Sequence, residues 1–363
     1  MKALILAGGF GTRLRPLSCT RPKLLFPVGN RPLLDWTLEK LASHGVYEVI
    51  LAVNYMAEVF MRRYGDSKYG MKIHYSKEDR PLRTGGAIKK AEKLIGHEDS
   101  FFVLNGDILI DINYKDLMEA HKSKDGLATL ALHEVEDASR YGVAVIGTEG
   151  RINRFVEKPA DSKAFGNLVN AGVYAFEPRI FDYIQKGKSV SIENSVFPRL
   201  AEEGVLYGYR FEGIWTDIGK PLDYLKANRL LLDAEADKKR SEPPHFQKGI
   251  EIEAPTIIGK NVKIGNKSHI GPHVSIGDNV EIGTGVRIED SVIFSEAIVS
   301  DFTSIKHSII GENAIIGKWV KIEDYCLIGD HAIILDNVTL TQGVTVCPSK
   351  EVSESVLIRK SLM

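Results

Sequence analysis

The chain has 363 residues, of which 44% are hydrophobic and 26% charged, and its formal net charge is −1. This length allows two domains and a large core, and the balanced charge excludes the strongly basic surface of a nucleic-acid-binding protein. The three cysteines, Cys19, Cys326 and Cys347, are odd in number and too scattered for a disulfide framework or a zinc site, which predicts a reducing cytoplasm. No signal-peptide pattern and no apolar stretch of membrane-spanning length occurs, so we expect no membrane partner.

The first predicted element is a buried strand over residues 3–7, where five apolar residues stand in a row. The chain then enters a Gly-rich segment, residues 8–17, whose glycines lack a Cβ and let an anion approach the backbone N–H groups. Arg13 and Lys23 add positive charge beside it. The spacing matches neither the GxxxxGK[ST] nor the GxGxxG phosphate loop, so a structural turn is the alternative. The neighbouring cations favour a loop for a nucleoside triphosphate.

Short apolar runs alternate with amphipathic stretches up to about residue 230. The apolar runs predict buried strands at residues 48–53, 101–104 and 128–132, and leucines with helical spacing predict a helix that Gly45 can end. This alternation predicts an α/β sheet with helices on both faces. Ligands of such sheets bind at the carboxyl ends of the strands, which is where the Gly-rich segment falls.

The predicted domain boundaries follow from a change in composition. Residues 1–232 form the predicted first domain, residues 233–249 a charged linker that contains two prolines, and residues 250–363 a second domain. After the linker the apolar pattern acquires a period of six.

A hexapeptide repeat fills the second domain. Isoleucine recurs at every sixth position from Ile258 to Ile288, usually followed by glycine, and the repeat slips in phase near Ile293 and again after Ile305. Such a repeat is typical of a parallel β-helix, in which each coil contacts only its neighbours. We expect this β-helix to serve homo-oligomer assembly. The alternative is an acyltransferase that would use one of the histidines of the repeat, which are His269, His273, His307 and His331.

Two aspartates follow strand-like runs in the first domain. Asp107 ends the segment Asn105-Gly106-Asp107, and Asp217 ends Trp215-Thr216-Asp217. One Asp at the end of a strand is usually a turn or capping residue, whereas one or two carboxylates with substrate phosphate oxygens are typical ligands of Mg²⁺. The residues by themselves leave both interpretations open.

The Gly-rich segment, followed by Arg21-Pro22-Lys23, resembles the signature G-G-x-G-T-R-L-x-P-L-T and P-K of the sugar-1-phosphate nucleotidyltransferases. The resemblance runs nearly end to end, and residues 191–198 and 206–209 are most similar to the mannose-1-phosphate guanylyltransferase branch. It implies an α/β fold, with a Rossmann-like nucleotidyltransferase domain of mixed, mostly parallel sheet and a C-terminal left-handed parallel β-helix.

The resemblance also implies a reaction, in which GTP and mannose 1-phosphate, or a closely related sugar 1-phosphate, give a GDP-sugar and pyrophosphate. The implied catalytic residues are Arg13, Lys23, Asp107 and Asp217, the last two as ligands of Mg²⁺. The implied nucleotide-binding residues are Leu6, Gly8, Gly9, Gly11, Thr12, Arg13, Lys23, Glu78, Thr84 and Gly85. The implied sugar-phosphate-binding residues are Gly106, Gly142, Glu157, Lys158 and Asn170.

Glu78 matches the position at which this family reads the base. A carboxylate accepts from both donors on the guanine edge, whereas thymidylyl and uridylyl relatives tend to place Gln there. Glu78 therefore favours GTP, and an exposed loop glutamate is the alternative. Arg83 stands where the family commonly has Gly in P-L-G-T-A-G, and its guanidinium is a rival partner for Glu78.

Three alternatives remain at this point. The residues alone make Glu157-Lys158 a surface ion pair rather than part of a sugar site. For the chain as a whole, one alternative is a glucose-1-phosphate thymidylyl- or uridylyltransferase. The other is a non-catalytic regulatory subunit that binds a nucleotide-sugar. A regulatory subunit should have lost charged site residues, so the presence of Arg13, Lys23, Asp107 and Asp217 favours the enzyme.

Overall fold

The computed structural model describes residues 1–161, 164–238 and 249–362. The chain forms two compact units. The first unit consists of Met1–Gly9 and Leu34–Trp215. The second unit consists of Phe10–Leu33 and Thr216–Met363.

The described residues contain six α-helices: α1 (Leu33–Ser43), α2 (Ala57–Tyr64), α3 (Arg83–Ile95), α4 (Tyr114–Lys122), α5 (Phe197–Glu202) and α6 (Pro221–Lys238). Short 3₁₀ segments lie at Thr12–Leu14, Leu17–Cys19, Lys23–Leu25, Thr148–Gly150 and Pro178–Tyr183, and a π-helical turn at Ile192–Val196. The helix predicted before Gly45 is α1. Its Leu34, Leu38 and Leu41 are fully buried, as the spacing of its apolar residues requires.

Fourteen strands precede α6: β1 (Lys2–Leu6), β2 (Pro27–Val28), β3 (Arg31–Pro32), β4 (Glu48–Val53), β5 (Ser67–Lys68), β6 (Met71–Lys77), β7 (Phe101–Asn105), β8 (Ile108–Ile110), β9 (Ala128–Glu134), β10 (Gly142–Ile146), β11 (Ile152–Glu157), β12 (Leu168–Phe176), β13 (Leu206–Arg210) and β14 (Trp215–Asp217). The four apolar runs of the sequence lie in β1, β4, β7 and β9, so these predicted strands are confirmed.

The sheet of the first unit has the order β11-β10-β12-β7-β1-β4-β6-β5, and off this path β9 pairs with β12 and β13 pairs with β9. Its central strands β7, β1, β4 and β6 are parallel to one another. Beyond β7, the strands β12, β10 and β11 are each antiparallel to the strand before them in the sheet. Residues such as Leu4, Ile50 and Val103 are fully buried because helices cover the central strands. The predicted mixed Rossmann-like sheet is confirmed.

The second unit contains the short strands of the repeat: β15 (Glu251–Ile252), β16 (Thr256–Ile258), β17 (Lys263–Ile264), β18 (His269–Ile270), β19 (Val274–Ile276), β20 (Glu281–Ile282), β21 (Arg287–Glu289), β22 (Val292–Ile293), β23 (Ile298–Val299), β24 (Ser304–Lys306), β25 (Ile309–Ile310), β26 (Ile315–Ile316), β27 (Lys321–Ile322), β28 (Leu327–Ile328), β29 (Ile333–Ile334), β30 (Thr339–Leu340), β31 (Thr345–Val346), β32 (Glu351–Val352) and β33 (Ser361–Leu362). Up to β32 every third strand joins the same parallel sheet, which makes three sheets, and β33 pairs with β31.

These three sheets are the faces of a parallel β-helix, as the repeat predicts. Ile270 pairs with Ile288, so one coil there takes 18 residues, whereas Ile276 pairs with Ile293 and that coil takes 17. A coil shortened by one residue explains the slips in phase. The stacked side chains inside, from Ile270 to Leu340, are fully buried or nearly so.

Residues 10–33 and α6 pack on the β-helix within the second unit. The ring of Phe26 contacts those of Tyr224 on α6 and Phe294 on the β-helix, with centroid distances of 5.6 and 6.2 Å. Arg21 donates a hydrogen bond to Asp330 at 2.7 Å, and its guanidinium lies 5.1 Å from the ring centre of Phe294. Buried charge-assisted bonds and aromatic contacts therefore fix this segment to the repeat.

The predicted linker, residues 233–249, is described only in part. Helix α6 runs on to Lys238, and residues 239–248, which include Pro243 and Pro244, lie outside the described residues. The predicted domain boundaries stay a prediction. Within the described residues, we find no helix with the length and hydropathy needed to span a bilayer.

Candidate active site

The carboxyl ends of four parallel strands meet at one edge of the first unit. Leu6 pairs with Ala52 on one side and with Asn105 on the other. The N–H of Gly106 donates to the carbonyl of Leu6 at 3.0 Å, and the N–H of Glu78 donates to the carbonyl of Val53 at 2.8 Å. The register of the sheet thereby places Leu6, Gly106 and Glu78 at this edge, with the half-buried Asp107 next in the chain.

Gly8 lies directly against Glu78. A Cβ on Gly8 would lie 3.3 Å from Oε1 of Glu78 and 3.4 Å from Cβ of Asn54. Glycine is therefore the residue that lets the loop after β1 pass this carboxylate at close range. The structure brings together a predicted loop residue and the predicted base-reading residue, which stand far apart in the sequence.

Glu78 is held by the backbone rather than by an arginine. It is 8% exposed, and its Oε2 accepts a hydrogen bond from the N–H of Leu82 at 3.0 Å. Burial raises the pKa of Glu78, while the bond from Leu82 and the charge of Lys90 act in the opposite direction. This burial speaks against an exposed loop glutamate.

Arg83 does not take Glu78 away from the site in the described part of the chain, where no ion pair joins the two. Arg83 is exposed and has a φ of +56°, a conformation that glycine adopts at no cost. The backbone thus follows the course expected of the family's glycine, in spite of the larger residue.

Thr84 and Gly85 bind a neighbouring segment at the start of α3. The hydroxyl of Thr84 donates to Oε2 of Glu193 at 2.7 Å and accepts from the N–H of Ile192 at 3.0 Å. The N–H of Gly85 donates to the carbonyl of Val190 at 2.8 Å. Both predicted nucleotide-binding residues therefore also position residues 190–193, which include the start of the segment 191–198 that resembles the guanylyltransferase branch.

Gly142 and Glu157 are opposite each other on β10 and β11. A Cβ on Gly142 would lie 2.5 Å from Cζ of Phe155 and 2.7 Å from Oε2 of Glu157, so only glycine leaves room for this carboxylate. Nζ of Lys158 lies 3.1 Å from Oε1 of Glu157, with the Lys158 side chain 64% exposed. The surface ion pair that the residues alone predict between Glu157 and Lys158 is present. Its Glu157 occupies space that a side chain at position 142 would need.

Replacing Gly142 by Ala is expected to push Glu157 out of place. The added methyl group overlaps Phe155 and the carboxylate, so we expect KM for the sugar 1-phosphate that the resemblance implies to rise about tenfold and stability to fall by about 1–3 kcal/mol. Steady-state kinetics and thermal unfolding measure the two effects.

Gly147→Ala is the matched control. Gly147 lies beyond the end of β10, and the three atoms nearest to its added methyl group all belong to Asn153, with Nδ2 at 2.4 Å. This variant should lower stability and leave KM for the sugar phosphate within twofold. Equal rises in KM for both variants would argue against a sugar site at Glu157.

Asn170 lies at an irregularity of β12. The register of β12 against β9 shifts between Asn170 and Tyr174, and Gly172 within the shift has a φ of +77°. Nδ2 of Asn170 lies 2.9 Å from the hydroxyl of Tyr174, and Oδ1 accepts from the N–H of Gly172 at 2.9 Å. Both ends of the amide are thus oriented by the bulge, which is a common device for aiming a side chain.

Three residues near these positions carry no role in the sequence-based assignment. Tyr174 is fully buried and its pKa is raised well above the usual value by desolvation and by the charges of Glu193 and Glu157. Asn105 lies against Gly172, where a Cβ would be 2.8 Å from its Nδ2. The third residue is Glu193. The sequence pointed to the neighbourhood of two of them, since Asn105 precedes Gly106 and Glu193 lies in the branch-specific segment. Neither position indicates a contact by itself.

In the second unit, the part of the Gly-rich segment that follows Gly9 is folded on itself. Gly11 has a φ of +60°, and its carbonyl accepts from the hydroxyl of Ser18 at 2.7 Å. A Cβ on Gly11 would lie 3.2 Å from Cβ of Ser18 and 3.6 Å from Cβ of Lys23. Gly11 therefore lets Lys23 approach the turn that carries the exposed residues Thr12 and Arg13.

Arg13 and Asp217 converge on Gly219. A Cβ on Gly219 would lie 3.1 Å from Oδ2 of Asp217 and 3.4 Å from Nη2 of Arg13. A carboxylate and a guanidinium that both approach this stretch of backbone suit a phosphate chain with its cation. In the described ranges no group of three or more His, Cys, Asp or Glu side chains forms a metal site.

The chain belongs to the nucleotidyl transferase family, whose model matches residues 2–234, and residues 252–362 match the model of the GMPPB C-terminal domain. Several relatives are named mannose-1-phosphate guanyltransferase. The one from Aspergillus oryzae is 41% identical to this chain, and the match covers 72% of this chain and 74% of the relative. The relative of that name from Kluyveromyces lactis is 44% identical over 86% of each chain.

Solved structures agree in fold. A structure named as a glucose-1-phosphate thymidylyltransferase from Bacillus anthracis has a TM-score of 0.59 and 26% identity, covering 67% of this chain and 98% of its own. HddC from Yersinia pseudotuberculosis, in complex with GMP-PN, has a TM-score of 0.54 and 32% identity. The match covers 62% of this chain and 97% of HddC. The match with both family models and with the named relatives favours the enzyme of the guanylyltransferase branch over the alternatives.

Proposed function

We propose that this protein transfers the guanylyl group of GTP to mannose 1-phosphate, giving GDP-mannose and pyrophosphate. The observation that carries the choice of nucleotide is the buried Glu78, which lies against Gly8 at the strand-end edge. The names of the curated relatives support the choice of sugar.

The chemistry asks for positioning rather than for a base. The nucleophile is a phosphate oxygen that is already anionic, so the enzyme gains by aligning it with the α-phosphate and by neutralising charge. We assign Arg13 to the triphosphate and the leaving pyrophosphate, and Lys23 to the charge at the α-phosphate. Lys158 holds the sugar phosphate and Glu157 the sugar hydroxyls.

The cofactor we propose is Mg²⁺, held by Asp107 and Asp217. Both carboxylates are half-buried at strand ends, and hard oxygen donors of this kind fit a divalent cation that takes its other ligands from phosphate. When bound, Mg²⁺ neutralises charge on the reacting phosphates. The pairing of the two aspartates rests on the family resemblance, since Asp107 lies in the first unit and Asp217 in the second.

A matrix of nucleoside triphosphates against sugar 1-phosphates, followed by release of pyrophosphate, tests the proposal. We expect GTP with mannose 1-phosphate to give the highest kcat/KM. A higher kcat/KM with dTTP or UTP and glucose 1-phosphate would replace this function by the thymidylyl or uridylyl alternative. Binding of GDP-mannose with no turnover of any pair would make the protein a regulatory subunit.

We further propose that the protein acts in the cytoplasm as a homo-oligomer assembled through the β-helix. The three cysteines are free, as a reducing compartment requires. Phe302 and Trp319, on successive coils, stack with their ring centres 4.3 Å apart although they are 44% and 56% exposed. Exposed paired aromatic rings are typical of protein interfaces.

The double variant Phe302→Ser, Trp319→Ser is expected to lower the mass measured by light scattering, because it removes the largest exposed apolar side chains of this face. Tyr47→Ser, which removes an exposed ring of the first unit, is the control and should leave the mass unchanged. An unchanged mass for the double variant would place the contact elsewhere.

A further inference from the structure

A cavity of about 810 Å³ lies in the second unit, where α6 begins. Three separate parts of this unit form its walls. Arg13 and Arg15 come from the Gly-rich segment, Lys220 precedes α6, and Arg359 precedes β33 in the last coil of the β-helix. A volume of this size is typical of sites for small ligands.

Its charge is entirely positive. Among the described residues that line the cavity, four are basic and none is acidic. None of the four basic side chains makes an ion pair or a side-chain hydrogen bond within the described ranges, whereas Arg21 and Arg229 of the same unit are paired with Asp330 and Asp290. Four unpaired cations around one cavity raise the local concentration of anions.

The β-helix holds Arg359 at the wall. The N–H of Thr345 donates to the carbonyl of Lys360 at 2.9 Å, and Thr345 pairs with Ser361. A Cβ on Gly343 would lie 3.2 Å from Nε of Arg359, so this guanidinium lies across a glycine of the neighbouring coil. The cation is thus positioned by strand pairing and by a close approach that glycine permits.

We propose that this cavity is an anion site for a phosphorylated ligand, bound by Arg15, Lys220 and Arg359 together with Arg13. Guanidinium groups bind phosphate oxygens through paired hydrogen bonds, and a ligand with two or more negative charges matches the four cations. Such a ligand has two possible sources. It is the pyrophosphate end of the substrate and product, or a separate phosphorylated metabolite that regulates the enzyme.

Calorimetric titration of the full chain with inorganic pyrophosphate, in the presence of a chelator, tests the site without turnover. Arg359→Gln and Arg15→Gln should each weaken binding about tenfold or more, because each loses charge-assisted hydrogen bonds to phosphate. Lys360→Gln is the matched control, since it removes one exposed charge next to Arg359 outside the cavity, and it should change affinity less than twofold. Wild-type affinity in both arginine variants would overturn the proposal.

A second titration, with the enzyme saturated with GTP, separates the two sources. If GTP abolishes the binding that depends on Arg359, the cavity takes the pyrophosphate end of the substrate; if this binding persists, the ligand is a separate metabolite. The proposed transfer reaction can fail without affecting this test. A chain that shows no turnover but binds pyrophosphate through Arg359 keeps the anion site and loses the proposed function.

Discussion

Replacing Asp107 by Asn is expected to lower nucleotidyl transfer about 100-fold or more. The amide keeps the shape of the half-buried side chain at the end of β7 but removes the charge with which it would bind Mg²⁺, and metal stabilisation of phosphate charge amounts to several kcal/mol. Asp217→Asn should have a comparable effect. Pyrophosphate release measured over a range of Mg²⁺ concentrations should show both a lower maximum and a higher metal requirement.

Asp79→Asn is the control for loss of a carboxylate in the first unit. Asp79 is 90% exposed and accepts a bond from Lys90 at 2.9 Å, so its replacement should change the rate less than twofold. Near-normal, Mg²⁺-dependent rates in both Asp107→Asn and Asp217→Asn would remove the proposed metal pair.

Glu78→Gln is expected to reduce the preference for GTP over UTP about 10- to 100-fold in kcat/KM. Guanine presents two donors to the carboxylate, and charge-assisted hydrogen bonds are about twice as strong as neutral ones. A uracil carbonyl would leave the same buried carboxylate partly unpaired at a cost of about 1–3 kcal/mol, which Gln relieves. An unchanged ratio in Glu78→Gln would show that another residue reads the base.

The pH dependence of the GTP affinity should follow the same side chain. Because burial raises the pKa of Glu78, the carboxylate that accepts from guanine is lost as the pH falls through this raised pKa. KM for GTP should therefore rise on acidification at a higher pH than an ordinary glutamate would give, and the rise should disappear in Glu78→Gln.

Arg83→Gly is the companion variant. It removes the guanidinium that the sequence offers as a rival partner and relieves a positive φ, so we expect a gain in stability of about 1–2 kcal/mol and little change in nucleotide preference. A shift in preference as large as that of Glu78→Gln would instead make Arg83 the residue that reads the base.

Local patterns predicted the fold well. The apolar runs before Gly8 and Asp107 determined β1 and β7, and the six-residue spacing from Ile258 onward determined the β-helix, because each of these signals acts between near neighbours. The short coils at the phase slips became clear only from the pairing of Ile276 with Ile293. A slip in a repeat shows where the register changes but not which coil has lost the residue.

The sequence predicted which residues belong to the candidate site. It predicted much less well which of these residues contact one another. The family signature named Gly8 and Glu78, but only the alignment of strand ends brings them so close that a Cβ on Gly8 would lie 3.3 Å from the Glu78 carboxylate. The crowding of Gly142 by Glu157 depends on the register of β10 and β11. Such relations join residues that are distant in the chain, and composition or spacing carries no record of them.

The packing of residues 10–33 on the repeat limits how this protein can be recombined. Arg21 reaches Asp330, Thr20 bonds to the same carboxylate at 2.6 Å, and the ring of Phe26 contacts that of Phe294. A chimaera that exchanged only residues after the linker would lose these matched partners and leave the Gly-rich segment without its support. The natural module for exchange is therefore discontinuous, and a grafted β-helix needs its own version of residues 10–33 and of α6.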